Sequence, residues 1–169
     1  MIIYEDILKE FYRQKVNYLI VGGVAVNLLG SLRSTADLDL LLEMSDINIQ
    51  KIIKILKDKG YRVKQPVDPS GLADKKTRED WIKNKGLKAF NFYKEDTLEE
   101  IDIIIESPLP FEKARKTAEY IEVDNFTLPV ISIDNLIKMK EQTGRAIDDL
   151  DIYELKKIKK LISKNKNDI

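Results

Sequence analysis

Two carboxylates on alternate positions of an apolar run constrain this chain more than any other feature. The run is Asp37-Leu38-Asp39-Leu40-Leu41-Leu42. In a strand, residues i and i+2 point to the same face. Asp37 and Asp39 therefore project side by side, and Leu38, Leu40 and Leu42 point the other way. Adjacent like charges on a half-buried strand are unfavourable unless a cation lies with them. Upstream, the apolar Tyr18 to Val21 meets Gly22-Gly23, and Val24 to Leu29 follows with helical character. Bare backbone amides at a helix start form an anion site. The two features together predict a divalent-metal site beside a phosphate cradle. The plainer readings are a tight turn at Gly22-Gly23 and a solvated edge strand at Asp37 and Asp39. The flanking leucines argue against the second.

The chain of 169 residues has no cysteine and no histidine, and its 29 Lys and Arg balance 29 Asp and Glu. Thiolate chemistry, histidine-ligated zinc and histidine general base catalysis are excluded. Acid, base or metal work must rest on Asp, Glu, Lys, Arg, Tyr or hydroxyls, and carboxylates suit hard cations such as magnesium. No apolar run reaches the length of a membrane span and the N-terminus lacks a signal-peptide pattern, so a cytoplasmic protein with no membrane partner is expected.

Periodicity and punctuation predict helices over 4–15, 24–29, 45–60, 74–85, 111–120, 132–142 and 147–163, and strands over 18–21, 37–43, 61–64, 88–93, 101–105, 121–123 and 126–130. Residues 65–86 are the least regular part, with Trp81 read as the packing anchor of a cap over the cleft. Strands and helices mix without strict alternation. The expectation is an α+β fold in one domain over 1–169, with a mixed central sheet flanked by helices, a core over about 18–130 and a C-terminal helical segment over about 132–163.

A third carboxylate of the same character is Asp102, inside Ile101-Asp102-Ile103-Ile104-Ile105. An unpaired ionised Asp among isoleucines costs several kcal/mol, and a metal removes that cost. Glu99, Glu100 and Glu106 lie at the ends of this strand and read as solvated. Three strand carboxylates and two metals about 4 Å apart would make a two-metal phosphoryl-transfer site.

The ordered set Gly22-Gly23, Arg33-Ser34-Thr35-Ala36-Asp37-Leu38-Asp39 and Asp102 resembles the DNA polymerase beta-like nucleotidyltransferase superfamily. The Arg33-x-Thr35-x-Asp37-x-Asp39 spelling, with Met139-Lys140, Gly144-Arg145, Asp148 and Asp151 downstream, resembles its bacterial minimal, AbiEii-like branch. The resemblance covers about Tyr18 to Leu155. It implies that Asp37 and Asp39 hold nucleotide-bound Mg2+, with Mn2+ as a substitute. Asp102 would join them at a second ion and help deprotonate the acceptor hydroxyl, while Gly22 and Gly23 approach the phosphates. The second signature residue is Gly23 rather than serine, so a hydroxyl contact to phosphate is missing.

Downstream, Lys140 falls on the apolar side of its helix, with Ile133 and Leu136. It either snorkels along the core edge or directs its charge at triphosphate; we read it as a catalytic and nucleotide-binding residue. Asp151 shares the stripe of Ile147, Leu155, Ile158 and Ile162 and needs a cationic partner, with Arg145 or Lys140 near in sequence. Asp148 lies in a first helical turn, where a carboxylate favours the helix dipole, and is also a nucleotide-site candidate. Arg33 would neutralise phosphate and Thr35 would shape the turn before Asp37. Lys156, Lys157, Lys159, Lys160, Lys164 and Lys166 form a solvated helix face or an RNA-backbone patch.

The expected activity is metal-dependent transfer of a nucleoside monophosphate from an NTP to a hydroxyl of tRNA, protein or a small molecule. The alternative is a non-catalytic partner protein of this fold, an antitoxin or a nucleotide-sensing module within a toxin–antitoxin pair.

Overall fold

The computed structural model describes residues 3–167, with side chains described as far as Asn165; Lys166 of the lysine-rich tail lies outside the described side chains. Its centre is a seven-stranded mixed sheet. In chain order the strands are β1 (Tyr18–Val21), β2 (Asp37–Leu42), β3 (Arg62–Val63), β4 (Ala89–Tyr93), β5 (Glu100–Ile104), β6 (Glu119–Val123) and β7 (Phe126–Val130). They lie side by side as β3-β4-β5-β2-β1-β7-β6. β1 runs parallel to β7 and β2 parallel to β5, while the other neighbours are antiparallel. The helices are α1 (Glu5–Arg13), α2 (Gly22–Leu28), α3 (Asp46–Asp58), α4 (Lys75–Lys85), α5 (Phe111–Arg115), α6 (Ile133–Thr143) and α7 (Ala146–Asn167). The α+β expectation holds.

Register divides the sheet into two chemically distinct faces. Ile20, Leu40, Ile103 and Phe90 lie in line across four strands, and all are buried. One position along, Val21, Asp39, Asp102 and Asn91 lie in line on the opposite face. The sheet therefore carries a leucine, isoleucine and phenylalanine core on one side and a polar row on the other. Burying that apolar side at roughly 25 cal/mol per Å² of surface is what fixes the register. A one-residue slip of β2 would turn Asp37 and Asp39 into the core.

Local chemistry sets the helix ends. Ser45 and Ser132 accept hydrogen bonds from Asn48 N and Asn135 N, capping α3 and α6. Gly144 ends α6 in the left-handed region. α5 stops at Arg115 rather than running to Tyr120, because Glu119 to Val123 pairs with β7 along the whole hairpin. Tyr120 and Ile121 favour a strand, and the pairing outweighs helix propensity there.

Trp81 does not cap the cleft. Its ring stacks on Phe90 with centroids 5.4 Å apart and 14° between planes, and Phe90 belongs to the apolar face. α4 is therefore part of the core layer behind the sheet. Arg78 fastens it there by donating to the carbonyls of Leu72 and Met44. Among the described residues, no helix is long and apolar enough to cross a membrane.

Candidate active site

The polar row opens into a cleft of about 500 Å³ between the sheet and α6, lined by Gly22, Asp39 and Asp102 together with Lys88, Lys140 and Arg145. That volume is in the range of small-molecule sites. Ile104, Pro108, Leu136 and Met139 form its apolar wall. A larger depression of about 670 Å³ runs along Lys156 to Lys164. It is bounded only by residues of α7 and has no opposing wall, so the convergent chemistry belongs to the first cleft.

Asp39 stands between Val21 and Asp102 in register. Burial pushes its carboxyl up to about 6, and the negative charges of Asp102 and Asp37 push the same way against Arg145 and Lys140. Asp102 is also raised, mainly by burial, while a hydrogen bond from Asn91 Nδ2 at 2.6 Å to its Oδ1 opposes the rise. Asp37 lies on the same face but is exposed at the start of β2, outside the cleft lining. Tyr4 holds that corner. Its single hydroxyl hydrogen is shared between the Ala36 and Glu100 carbonyls, and its oxygen accepts from Glu100 N.

Among the described residues, no three carboxylates gather into a ready-made metal cage. The residues nevertheless fit a hard divalent cation. The donors are all oxygens, with Asp39 and Asp102 on adjacent strands and both raised chiefly by burial and further by neighbouring carboxylates. Magnesium is characteristically held by one or two carboxylates plus substrate phosphates and water.

Gly22 adopts φ +65°, and a Cβ there would overlap the Asp39 carboxylate, with Asp39 Cγ only 2.6 Å away. The first glycine is thus required by both backbone and close approach. Gly22→Ala is expected to combine the left-handed penalty of about 1–2 kcal/mol with displacement of Asp39. Gly86→Ala, at φ +62° with nothing within 4 Å of its Cβ position, is the control for the backbone part alone. Urea unfolding should show the larger loss at Gly22, and equal losses would refute the close-approach argument.

Gly23 is not in the cleft lining. A Cβ there would fall 2.6 Å from Thr35 Oγ1 and 3.1 Å from Arg33 Nη1. Thr35 and Arg33 therefore pack on Gly23, and the threonine hydroxyl fills the space a serine side chain would need. Arg33 Nη1 pairs with Asp151 Oδ2 at 2.6 Å rather than facing the cleft.

Lys140 is only 4 % exposed and donates to Asp148 Oδ1 at 3.1 Å and Asp151 Oδ2 at 2.7 Å. Asp148 also accepts from Thr143 Oγ1 at 2.6 Å and Arg145 Nε at 2.8 Å. Burial opposes its charge, yet the contacts with Arg145, Thr143 and Lys140 hold its carboxyl well below the usual range. Lys140, Asp148 and Asp151 thus form a buried core of one network that Arg33 and Arg145 extend, joining α6, α7 and the segment before β2. The lysine's charge is largely spoken for by two aspartates. Among the cations lining the cleft, Arg145 and Lys88 are the accessible ones, Arg145 with a side chain 66 % exposed. Sequence reading passed over Lys88, Asn91 and Gln65, because single polar residues in strands and loops carry no local signal.

Solved structures with a similar fold include the lincosamide antibiotic adenylyltransferase LnuA bound to lincomycin. It aligns over 92% of this chain and 96% of its own, at 21% identity and a TM-score of 0.61. The fold is that of the nucleotidyltransferases. The antibiotic-resistance factor ANT(2'')-Ia aligns over 98% of this chain and 90% of its own, at 15% identity and a TM-score of 0.57. Its complex with adenylyl-2''-tobramycin aligns at 16% identity over 95% and 93% of the two chains, with a TM-score of 0.52. No protein-family model and no curated protein sequence matches the chain.

Proposed function

We propose that this protein transfers a nucleoside monophosphate from an NTP to a hydroxyl of a small molecule. The observation that carries the reading is the alignment of Asp39 and Asp102 on adjacent parallel strands, opening with Gly22 into one cleft. Asp37 and Asp39 would hold Mg2+, or Mn2+ in its place, with Asp102 completing a second position. Such ions supply charge neutralisation at the transferring phosphoryl group.

The chain's own residues do the rest. Gly22, lacking a Cβ, lets the Asp39 carboxylate lie directly against the backbone at the start of α2, where a cation held by Asp39 would neutralise phosphate charge. Arg145 and Lys88 place positive charge along the cleft, where charge develops on the leaving pyrophosphate. Asp102 lies at the boundary between the carboxylate row and the apolar wall. A hydroxyl bound against Ile104, Pro108, Leu136 and Met139 would meet it first. Asp102 takes the hydroxyl proton, the oxygen bonds to the α-phosphorus, and the bond from that phosphorus to the bridging oxygen breaks toward pyrophosphate. Holding both reactants in line supplies much of the acceleration.

The small-molecule acceptor is supported by the size of the cleft and its apolar wall, and by the antibiotic acceptors named for the similar structures. The Arg33-x-Thr35-x-Asp37-x-Asp39 spelling supports the minimal, AbiEii-like branch of the superfamily. In the network above, Lys140 and Asp148 act as a brace behind the nucleotide site, and Arg33 and Thr35 shape the approach to β2.

The test is incubation with each α-labelled NTP, Mg2+ and fractionated cell extract. Label entering the small-molecule fraction, and lost on chelation, is the expected result. Label in RNA or protein would reassign the acceptor, and no product with any NTP would overturn the reading.

A further inference from the structure

The Asp102 carboxylate does not stand alone on its strand. Asn91 faces it across β4 and β5 and donates from Nδ2 to Oδ1 at 2.6 Å. Asn91 is in turn gripped from behind by Gln65, in the irregular segment after β3. Gln65 Nε2 donates to Asn91 Oδ1 at 2.5 Å, and Asn91 N donates to Gln65 Oε1 at 3.0 Å. Lys64 N donates to Asn91 O at 2.9 Å, which ties this segment to β4.

The sense of every bond is forced. An ionised carboxylate only accepts, so Asn91 must present its NH2 group to Asp102 and its carbonyl oxygen to Gln65. Gln65 must then present its own NH2 group, leaving its oxygen for the backbone N–H. Both amides are half-buried, where flipping either would set donor against donor or acceptor against acceptor. The terminal torsion of an aspartate is broad and weakly two-fold, so an unsupported carboxylate could turn.

We infer that Gln65 and Asn91 are positioning residues for Asp102, fixing its rotation and occupying Oδ1 so that Oδ2 is presented to the cleft. This rests on the reading of Asp102 as the group that accepts the acceptor's proton. In that step the proton goes to Oδ2, the hydroxyl oxygen bonds to the α-phosphorus, and pyrophosphate leaves with the electrons of the broken bond. Gln65 and Asn91 touch neither reactant and act through the carboxylate alone.

The test combines a mutant cycle with a spectroscopic readout on the intact chain. Gln65→Met and Asn91→Leu keep size and remove the hydrogen bonds. Each is expected to lower kcat about 10–100-fold, the range seen when the groups supporting an active-site ligand are removed, with KM for NTP roughly unchanged. The double variant should be no worse than Asn91→Leu, because Gln65 acts only through Asn91. Gln65→Glu, of equal size but reversed hydrogen-bond sense, should lower kcat at least as far as Gln65→Met.

In parallel, the side-chain amide protons of Asn91 are followed by NMR. They should exchange slowly in the parent and fast in Gln65→Met. Additive kcat losses, an effect on KM instead of kcat, or an Asn91 amide indifferent to Gln65→Met would each overturn the relay. A parent that transfers no nucleotide would refute the proposed function instead, and the relay would then stand or fall on the amide exchange.

Discussion

Asp39→Asn abolishes transfer and at the same time raises the melting temperature of the metal-free protein at pH 7. The loss of activity should reach roughly a thousandfold or more, the scale for a group that acts electrostatically in the transition state. The gain in stability follows from the carboxyl's position. Burial first, then Asp102 and Asp37, push it up to about 6 from an ordinary value of 3.8. A raised acid binds its proton more tightly in the folded state than in the unfolded one. The stability this contributes is present below about pH 4 and lost as pH rises through about 6. Above that window the parent keeps a crowded, ionised Asp39 that the asparagine variant lacks, a difference on the order of 1–3 kcal/mol. Thermal unfolding in chelator from pH 5 to 7 checks it. The gap between variant and parent must widen with pH, and a constant gap, or parental activity in the variant, refutes the assignment.

Lys140→Met should act through folding before it acts through chemistry. Lys140 and its partners Asp148 and Asp151 are 4 %, 0 % and 4 % exposed. Removing one member of a buried ion network leaves charge without its counter-charge, at a typical penalty of 3–5 kcal/mol. Arg33 and Arg145 still pair with the two aspartates, so about 3 kcal/mol is expected from urea unfolding. A lysine that instead met the triphosphate would show the converse, a large rise in KM for NTP with little change in unfolding. These outcomes separate the proposed brace from the phosphate contact that helix periodicity and resemblance suggested for Lys140.

The carboxylate row was legible because strand alternation is strict and local. Asp37, Asp39 and Asp102 could be assigned to one kind of face before their strands were known to be neighbours. The inward side of α6 was legible for the same reason, since Leu136 and Lys140 are four residues apart. What lies on that side was not. The Arg33–Asp151 pair spans most of the chain, and periodicity carries no information at that range. Ile147 and Ile162 continue the stripe of Leu155 in sequence but are 40 % and 45 % exposed, because α7 packs on α6 over only part of its length. Trp81 was misplaced because a charged helix with one aromatic reads equally as lid or as core layer. Only the side of β4 that carries Phe90 decides between them.

The ion pair between Arg33 and Asp151 also bears on the order of synthesis. Arg33 leaves the ribosome among the first residues of the sheet, and its counter-charge emerges 118 positions later. Until then Asn27 and Tyr4 hold the segment leading into β2 by its backbone, but the Arg33 guanidinium has no carboxylate to meet. The two aspartates of β2 are therefore made early but fixed late. A nascent chain halted before α7 would hold the acidic strand without the Arg33–Asp151 pair, so this centre is completed only once α7 has emerged.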